Sequence, residues 1–407
     1  MTDYPKQVDV LVAGAGPAGS ATAALLAAAG WSVLALDRAS FPRSKPCSEY
    51  MSPETVRILS RLGVTGALER AGAMPVEGLR VIGSKGDSAQ GLFARASHPP
   101  FRSTGLSVSR RILDHELIDA ARRAGAEIRE RSYVEELLYE GGGVAGVVVR
   151  DEAGRRHPIR ARLTVGADGL RSVVARRLGG RNHGRPRRMA FVAHATGVQG
   201  MGELAELHVS RDGYVGLNPI GRDQTNIGLV VPARQAAGAR ADLDGFFSRT
   251  LKRFPRVHER VAPSTLNGPI LATGPFAARS RRIIADGALL VGDAADFFDP
   301  FTGDGIYTAL RGAELIFETV APALARGCVL DAGSLAPYRR ARKRVFAGKW
   351  MMERLVGYAM SWPWLFERGL ARLGRSDGMG HTLVGVAGGF VPAREALNPL
   401  FLARMVL

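Results

Sequence analysis

Residues 8–38 read VDVLVAGAGPAGSATAALLAAAGWSVLALDR, and the predicted fold follows from this segment. An apolar run ends in the turn GAGPAG, an alanine- and leucine-rich stretch follows, and a second apolar run closes with Asp37. The order is strand, glycine turn, helix and strand, with an acid roughly twenty residues after the turn, which is the context that a dinucleotide-binding unit requires. A glycine turn without a ligand is the alternative, and this context disfavours it.

Each position of the turn has a physical task in holding a dinucleotide. Gly14 permits the tight turn, Gly16 lets a pyrophosphate approach the backbone, and Gly19 lets the helix pack closely on the sheet. The free N–H groups at the start of the helix then face the phosphates. Asp37 is placed to accept hydrogen bonds from a ribose diol. The motif alone does not distinguish a nicotinamide from a flavin dinucleotide.

Length and cysteine content limit the possible classes of protein. At 407 residues the chain is long for one domain, so we expect two or more lobes. Its two cysteines, Cys47 and Cys328, form no CxxC pair, which argues against a disulfide framework, a zinc site or an iron–sulfur cluster, and we expect no metal. The apolar residues 21–30 belong to the dinucleotide helix rather than to a signal peptide, so a cytoplasmic location is expected.

The formal net charge of +17 requires nucleic acid to be considered as a partner. The arginines are spread along the chain, and no recognisable nucleic-acid module accompanies them. We therefore expect no nucleic-acid partner and interpret the charge as favouring anionic cofactors, acidic partners or a membrane surface. Arginine-rich codon usage is the remaining explanation.

The segment FPRSKPCSEY, residues 41–50, is predicted to be a loop that folds back over the cofactor. Ser52 then caps a helix that stops at Gly63. Cys47, two residues after Lys45, is either an activated thiol or a small apolar filler.

The apolar spacing of residues 107–124 predicts a helix that begins with Arg110 and Arg111. Cations are unfavourable at a helix N-terminus unless an anion is near, and a cofactor phosphate is such an anion. Two solvated arginines are the alternative.

Short apolar runs separated by turns predict strands from residue 127 to residue 165, followed by a tight turn at Asp168-Gly169. Residues 183–274 hold further short runs, of which 214–219 and 225–231 look like neighbouring strands. We interpret this region as an inserted antiparallel sheet that forms the wall of a substrate pocket.

The cofactor pattern returns after residue 282. A short buried strand ends in Gly292-Asp293, and a loop rich in glycine and proline precedes a helix that begins at Ile306. Such a loop creates a nest of backbone donors, and Asp293 is placed to accept hydrogen bonds from a polyol.

A family resemblance rests on three motifs that occur in order, GAGPAG, GADGLRS and LLVGDAADFFDPFTGDGIYTAL. The chain resembles the superfamily of FAD-dependent oxidoreductases that contains p-hydroxybenzoate hydroxylase and the geranylgeranyl reductases, over roughly residues 8–325. The resemblance implies an α/β fold with a discontinuous Rossmann-like (GR2-type) FAD-binding domain, an inserted antiparallel substrate sheet and a helical C-terminal region. The implied segments are FAD-binding at 1–80, 106–182 and 275–330, substrate-binding at 81–105 and 183–274, and helical at 331–407.

The resemblance also implies the residues of the site. The residues implied to bind FAD are Gly14, Gly16, Pro17, Ala18, Gly19, Asp37, Arg38, Lys45, Cys47, Arg110, Arg111, Asp168, Gly169, Gly292, Asp293, Pro300, Gly303, Asp304, Gly305 and Ile306. Cys47, Pro300 and Gly303 are the candidates for the catalytic centre. Asp168 and Gly169 are implied to lie where FAD and NAD(P)H approach each other.

The first functional prediction is hydroxylation of an apolar aromatic, polyketide-like or lipid-like molecule of secondary metabolism, in which NAD(P)H reduces the flavin and the flavin activates O2. The alternative is reduction of a C=C bond, as in the geranylgeranyl reductases. That branch usually carries a Tyr-x-Trp-x-Phe-Pro pattern in the substrate sheet, whereas residues 213–219 read GYVGLNP. A flavin electron carrier without catalytic activity is the third possibility.

The C-terminal region from Tyr338 is first basic and then aromatic, with Trp350, Trp362 and Trp364. One interpretation is a helix that packs its aromatic face on the other lobes, and this is the one we favour. The other is a peripheral contact with a membrane surface or a lipid substrate.

Overall fold

The computed structural model of the chain describes residues 4–376 and 378–406. Residues 1–3, 377 and 407, which fall in the predicted segments 1–80 and 331–407, lie outside the described residues. The strands are β1 (Gln7–Ala13), β2 (Val33–Leu36), β3 (Tyr50–Met51), β4 (Met74–Val76), β5 (Gly78–Ile82), β6 (Ser88–Leu92), β7 (Gly105–Ser107), β8 (Glu127–Arg129), β9 (Tyr133–Glu140), β10 (Gly143–Arg150), β11 (Arg156–Gly166), β12 (Arg181–His183), β13 (Arg188–Thr196), β14 (Leu204–Ser210), β15 (Gly213–Gly221), β16 (Gln224–Pro232), β17 (Thr265–Leu266), β18 (Leu271–Thr273), β19 (Ala278–Ser280), β20 (Ile284–Ala285), β21 (Ala288–Leu290) and β22 (Asp296–Phe297). The helices are α1 (Pro17–Ala28), α2 (Pro53–Arg61), α3 (Thr65–Arg70), α4 (Arg110–Arg123), α5 (Val173–Arg177), α6 (Leu243–Leu251), α7 (Pro255–Val261), α8 (Gly305–Ala325), α9 (Ala336–Ala359), α10 (Pro363–Gly374), α11 (Met379–Gly388) and α12 (Pro399–Val406).

The first sheet has the strand order β20-β21-β11-β1-β2-β8, and the hairpin β9–β10 pairs with β11. Strands β21, β11, β1, β2 and β8 are parallel, and α1 makes the crossover from β1 to β2. Along β1, Val10 and Val12 pack in the core cluster that contains α1 and α8, while Leu11 and Ala13 pack against the opposite layer. Because the strands are parallel, the carboxyl ends of β1, β2 and β21 lie at one edge of the sheet.

The second sheet has the order β17-β13-β16-β15-β14-β5-β6, with β18 paired to β13. Its strand pairs are antiparallel, except that β14 and β5 are parallel. β5 precedes the other strands of this sheet in the chain. β5 begins at Gly78, three residues before the predicted segment 81–105. One face of this sheet packs Phe191 and Leu229 in a core cluster with Phe247 of α6, and the other face carries Val230 and Tyr214. We call this second face the cavity face.

The C-terminal residues form the helices α9 to α12, which confirms the predicted helical region. Their apolar side chains pack with the cavity face, for example Met360 and Phe366 with Val230. The mixed α/β fold with an inserted, largely antiparallel sheet is also as predicted. Within residues 4–376 and 378–406, no helix has the length and apolar character needed to cross a membrane.

Candidate active site

A continuous cavity of about 810 Å³ lies between the carboxyl edge of the first sheet, the cavity face of the second sheet and the C-terminal helices. Its volume is in the range of small-molecule sites. One end is lined by the glycine turn and by polar side chains, and the other end is lined by leucine, valine and aromatic side chains of α9 to α12. The predicted site residues that line it are Gly16, Pro17, Ala18, Lys45, Cys47, Arg110, Gly169, Gly292, Asp293, Pro300, Gly303, Gly305 and Ile306.

Asp37 lies at the end of β2 beside the glycine turn. Its Oδ2 accepts a hydrogen bond from Ala15 N at 2.9 Å, and its Oδ1 accepts one from Ala39 N at 2.9 Å. The guanidinium of Arg43 is 3.9 Å from Asp37 and 3.2 Å from Asp114, and it lies near Gly16. Arg43 was not among the predicted residues, whereas the predicted Arg38 has an exposed side chain.

Lys45 and Asp293 carry opposite charges on the wall of the cavity. Burial lowers the pKa of Lys45, and the nearby Arg43 and Arg110 lower it further. Burial raises the pKa of Asp293, while Lys45 opposes that rise. Among the residues that the structure describes, Lys45 makes no ion pair shorter than 4 Å. These are two polar groups that a ligand in the cavity can satisfy.

Arg110 begins α4 without needing a ligand anion. Its guanidinium donates to Asp114, one turn later, at 2.7 and 2.9 Å, and its backbone N–H donates to Glu49 Oε1 at 2.7 Å. The prediction that a phosphate must compensate these arginines is therefore not required by the structure, because two protein carboxylates do so. Arg111 is exposed and does not line the cavity.

Cys47 lines the cavity next to Arg110. Burial raises the pKa of the Cys47 thiol, which Arg110 only partly offsets. The sulfur also accepts a hydrogen bond from Glu49 N at 3.3 Å. The group at this position is thus a protonated thiol at neutral pH rather than an activated thiolate, which corrects the first of the two sequence interpretations.

The second sheet holds the loop that carries Cys47. Asn226 Nδ2 donates to Cys47 O and to Glu49 Oε2, both at 2.9 Å, and Asn218 Nδ2 donates to Ser48 O at 3.0 Å. His194 Nε2 lies 2.7 Å from Glu49 Oε2. Glu49 has a left-handed backbone with φ 59°, so these contacts stabilise an otherwise unfavourable conformation. The sheet therefore positions the thiol as well as forming the cavity wall.

Side-chain hydrogen bonds from the second sheet also anchor the loop that precedes α8. Asp299 accepts hydrogen bonds from Tyr214 Oη at 2.7 Å and from Arg188 Nη1 at 2.6 Å. Pro300 and Gly303 follow it on the cavity wall. Asp304 is ion-paired with Lys349 of α9 and lies outside the cavity lining. The loop is thereby held between the second sheet and the C-terminal helices.

Asp168 and Gly169, which are adjacent in the sequence, lie in different surroundings. Asp168 Oδ2 accepts hydrogen bonds from Val173 N at 2.6 Å and Val174 N at 3.3 Å, so it caps α5. Gly169 lines the cavity, with Lys45 Nζ 3.3 Å from the point where a Cβ would lie. The resemblance implied one role for both residues, and the structure places only Gly169 on the cavity wall.

The residues present fit an FAD molecule. Gly16 leaves an open cradle at the N-terminus of α1, since the nearest atom to an added Cβ is 3.6 Å away. Lys45 and the backbone of α1 suit a pyrophosphate. Asp293, at the carboxyl edge of the same sheet, suits a hydroxylated chain, and the anchored loop from Pro300 to Gly303 suits a flat ring. FAD would be held by these groups in this order.

Replacement of Asp293 by alanine is expected to weaken FAD binding by about 1–3 kcal/mol, the range of a lost hydrogen bond to a charged group. The measurement is FAD affinity by fluorescence titration of the folded apoprotein. Asp223→Ala is the matched control, since Asp223 is exposed on the turn between β15 and β16 and does not line the cavity. An unchanged affinity in Asp293→Ala would contradict the role given to this carboxylate.

Comparisons with known proteins agree with this geometry. A family model described as an FAD binding domain matches residues 7–347. Digeranylgeranylglycerophospholipid reductase 2 of Methanopyrus kandleri is 31% identical over 329 residues, which are 78% of each chain. Menaquinone reductase of Mycolicibacterium smegmatis is 28% identical over 81% of this chain and 80% of the relative.

Solved structures show the same fold. A flavoprotein/dehydrogenase from Cytophaga hutchinsonii superimposes with a TM-score of 0.85 at 20% identity, covering 98% of this chain and 96% of that chain. A myxobacterial chondrochloren halogenase, described as FAD-dependent, superimposes with a TM-score of 0.80 at 26% identity, covering 99% and 91%. The chain therefore belongs to the FAD binding domain family and is an FAD-dependent oxidoreductase of the superfamily that contains geranylgeranyl reductases and FAD-dependent halogenases.

Proposed function

We propose that this protein reduces C=C bonds in a polyprenyl chain, with reduced FAD as the hydride donor. The observation that carries the proposal is the cavity itself, which continues from the protonated Cys47 thiol into an apolar space lined by the second sheet and α9 to α12. An extended hydrocarbon chain fits such a lining, because burial of apolar surface supplies the binding energy. Two relatives are named for the reduction of a geranylgeranyl lipid and of menaquinone.

The residues of this chain would supply binding, positioning and a proton. FAD, when bound and reduced, supplies a hydride to one carbon of the double bond. The Cys47 thiol donates its proton to the other carbon, so that the π bond breaks and two C–H bonds form. The Arg110 guanidinium and the Glu49 N–H lie beside the sulfur and stabilise the thiolate that remains. Solvent then returns the proton to Cys47.

The reductant that regenerates the reduced flavin is, in this proposal, NAD(P)H. The cavity wall at Gly169 is where the resemblance places its approach. Rapid mixing of the FAD-loaded protein with NADH or NADPH under anaerobic conditions should bleach the flavin absorption. Absence of bleaching with either compound would point to another reductant and leaves the reduction of the substrate to be tested with chemically reduced flavin.

Hydroxylation is the second candidate, and the sequence GYVGLNP at residues 213–219 favours it, since the aromatic pattern usual in the reductases is absent. In this chain the Tyr214 hydroxyl donates to Asp299 and is not available to a substrate. The two reactions differ in their need for O2. A product that carries label from 18O2 would support hydroxylation and would exclude simple reduction.

The cavity lining predicts the effect of narrowing the hydrocarbon site. Gly228 of β16 lines the cavity, and an added Cβ there would be 3.8 Å from its nearest neighbour, so a valine fits the strand but occupies the cavity. We expect Gly228→Val to raise the KM for a polyprenyl substrate about 10-fold, which equals about 1.4 kcal/mol, with FAD content unchanged.

Gly221→Val on the same hairpin is the control for this experiment. Gly221 does not line the cavity, and an added Cβ would be 3.5 Å from Gln224. Equal KM values for the two variants would contradict the placement of the hydrocarbon chain along the cavity face.

A further inference from the structure

The large apolar side chains on the surface are concentrated near the end of α9 and the start of α10. The exposed fractions are 56% for Met351, 43% for Leu355, 53% for Tyr358, 58% for Trp362 and 63% for Trp364. We call these five residues the apolar rim. Clustered exposed aromatic side chains of this size mark an interaction surface rather than ordinary surface composition. Trp350 and Phe366 pack against the other lobes, as the interpretation we favoured from the sequence expected, whereas Trp362 and Trp364 are exposed.

The apolar rim is continuous with the cavity. Leu355, Tyr358, Trp362 and Trp364 are exposed to solvent and also line the cavity wall. A molecule bound at this rim is thus in contact with the entrance of the apolar space that leads to the flavin end. The apolar rim is therefore both an exposed interaction surface and the entrance to the cavity.

Basic side chains are exposed beside the rim. Between residues 351 and 376, Arg354 and Arg375 have exposed side chains. The two carboxylates of the same segment are not exposed, since Glu353 is half-buried and Glu367 is buried and accepts hydrogen bonds from Ser84. The rim is therefore accompanied by exposed arginines, in a chain whose formal net charge is +17.

We propose that the apolar rim docks on an anionic lipid bilayer, with the aromatic side chains at the level of the headgroups and the arginines on the phosphates. Tryptophan and tyrosine are suited to this interface, because they present an apolar body and a polar edge. Basic residues near an anionic surface are attracted to it, and this attraction weakens as salt is added. A symmetric contact with a second copy is disfavoured, because it would bring the same arginines together.

This inference goes beyond the proposed reaction and does not depend on it, because docking concerns the rim and not the flavin chemistry. If the substrate is a membrane lipid, docking would bring its hydrocarbon chain to the entrance of the cavity. The experiment below measures binding without turnover, so a failure of docking and a failure of the proposed reaction are distinguishable.

The test is flotation of the FAD-loaded full chain with vesicles of phosphatidylcholine alone or with phosphatidylglycerol added. We expect the wild-type protein to float with the anionic vesicles and to be released by high salt, since salt screens the arginines. The double variant Trp362→Ser/Trp364→Ser should bind at least about 10-fold more weakly, and Arg354→Gln/Arg375→Gln should lose binding to anionic vesicles. FAD content and thermal unfolding confirm that the variants are folded.

The control is Tyr139→Ser/Val329→Ser, which removes two side chains of 54% and 82% exposure that lie outside the rim. This variant should float like the wild type. A second readout is quenching of tryptophan emission by lipids with brominated acyl chains. Quenching should survive Trp31→Phe/Trp350→Phe and be lost in Trp362→Phe/Trp364→Phe.

Three results would overturn the proposal. The first is a wild-type protein that does not float with anionic vesicles. The second is equal binding by the rim variant and the control variant. The third is a dimer that dissociates when Trp362 and Trp364 are replaced, in a protein that binds no vesicles, which would assign the rim to a second copy of this chain.

Discussion

Gly16→Val is expected to give a folded protein that no longer retains FAD. The backbone at Gly16 has φ −74° and ψ −173°, an extended conformation that valine adopts. The added Cβ has its nearest neighbour 3.6 Å away, so the protein itself accommodates the side chain. The methyl groups would instead occupy the space at the N-terminus of α1 through which a pyrophosphate reaches the backbone. We expect the FAD Kd to rise at least about 100-fold, which equals about 2.8 kcal/mol.

The neighbouring glycines make this prediction specific. A Cβ at Gly19 would be 1.8 Å from Gly14 O, and Gly14 has φ 99°, so replacements there are expected to destabilise the fold rather than to block a ligand. The measurement is flavin content and apoprotein thermal unfolding for Gly16→Val beside Gly16→Ala and Gly19→Ala. Stoichiometric FAD in purified Gly16→Val would contradict the claim that a pyrophosphate reaches the backbone at Gly16.

Cys47→Ala is expected to lower the turnover number for C=C reduction about 100-fold or more, the range for loss of a general acid. The thiol is protonated at neutral pH because burial raises its pKa. Turnover of the wild type should thus be level through neutral pH and should fall at alkaline pH, as the thiol deprotonates. Cys47→Ser places a much weaker acid at the same position. We expect its turnover number to fall as well, but by less than that of Cys47→Ala.

The second cysteine is the control for Cys47. Cys328 packs against the core of the first sheet and does not line the cavity. Turnover by Cys328→Ala should match the wild type when both carry equal FAD. Wild-type turnover by Cys47→Ala, with an unaltered pH profile, would mean that the proton comes from another group.

The sequence alone was sufficient for the parts of the fold that depend on local pattern. Residues 8–38 hold a complete strand, turn, helix and strand, and β15 and β16 are the neighbouring strands that the sequence indicated at 214–219 and 225–231. Ser52 accepts a hydrogen bond at the start of α2, where the capping pattern predicted a helix. These features involve residues close together in the chain.

The positioning of the thiol could not be predicted, because its partners are distant in sequence. Asn226 and Glu49 are 177 residues apart, and Tyr214 and Asp299 are 85 residues apart. The available signal was the presence of asparagines, Asn218 and Asn226, within apolar strands. By contrast, the Arg110–Asp114 pair has the i, i+4 spacing of helix ion pairs, so the sequence did contain the reason why Arg110 needs no phosphate.

The most direct test of the proposed reaction is the mass of the product formed from a polyprenyl lipid without O2. The FAD-loaded protein is reduced chemically, mixed with the substrate anaerobically, and the product is analysed by mass spectrometry. We expect a product that has gained two hydrogens for each double bond reduced and contains no added oxygen, in amounts that fall strongly in Cys47→Ala. No anaerobic product, together with an 18O-labelled product when 18O2 is admitted, would contradict it and establish hydroxylation.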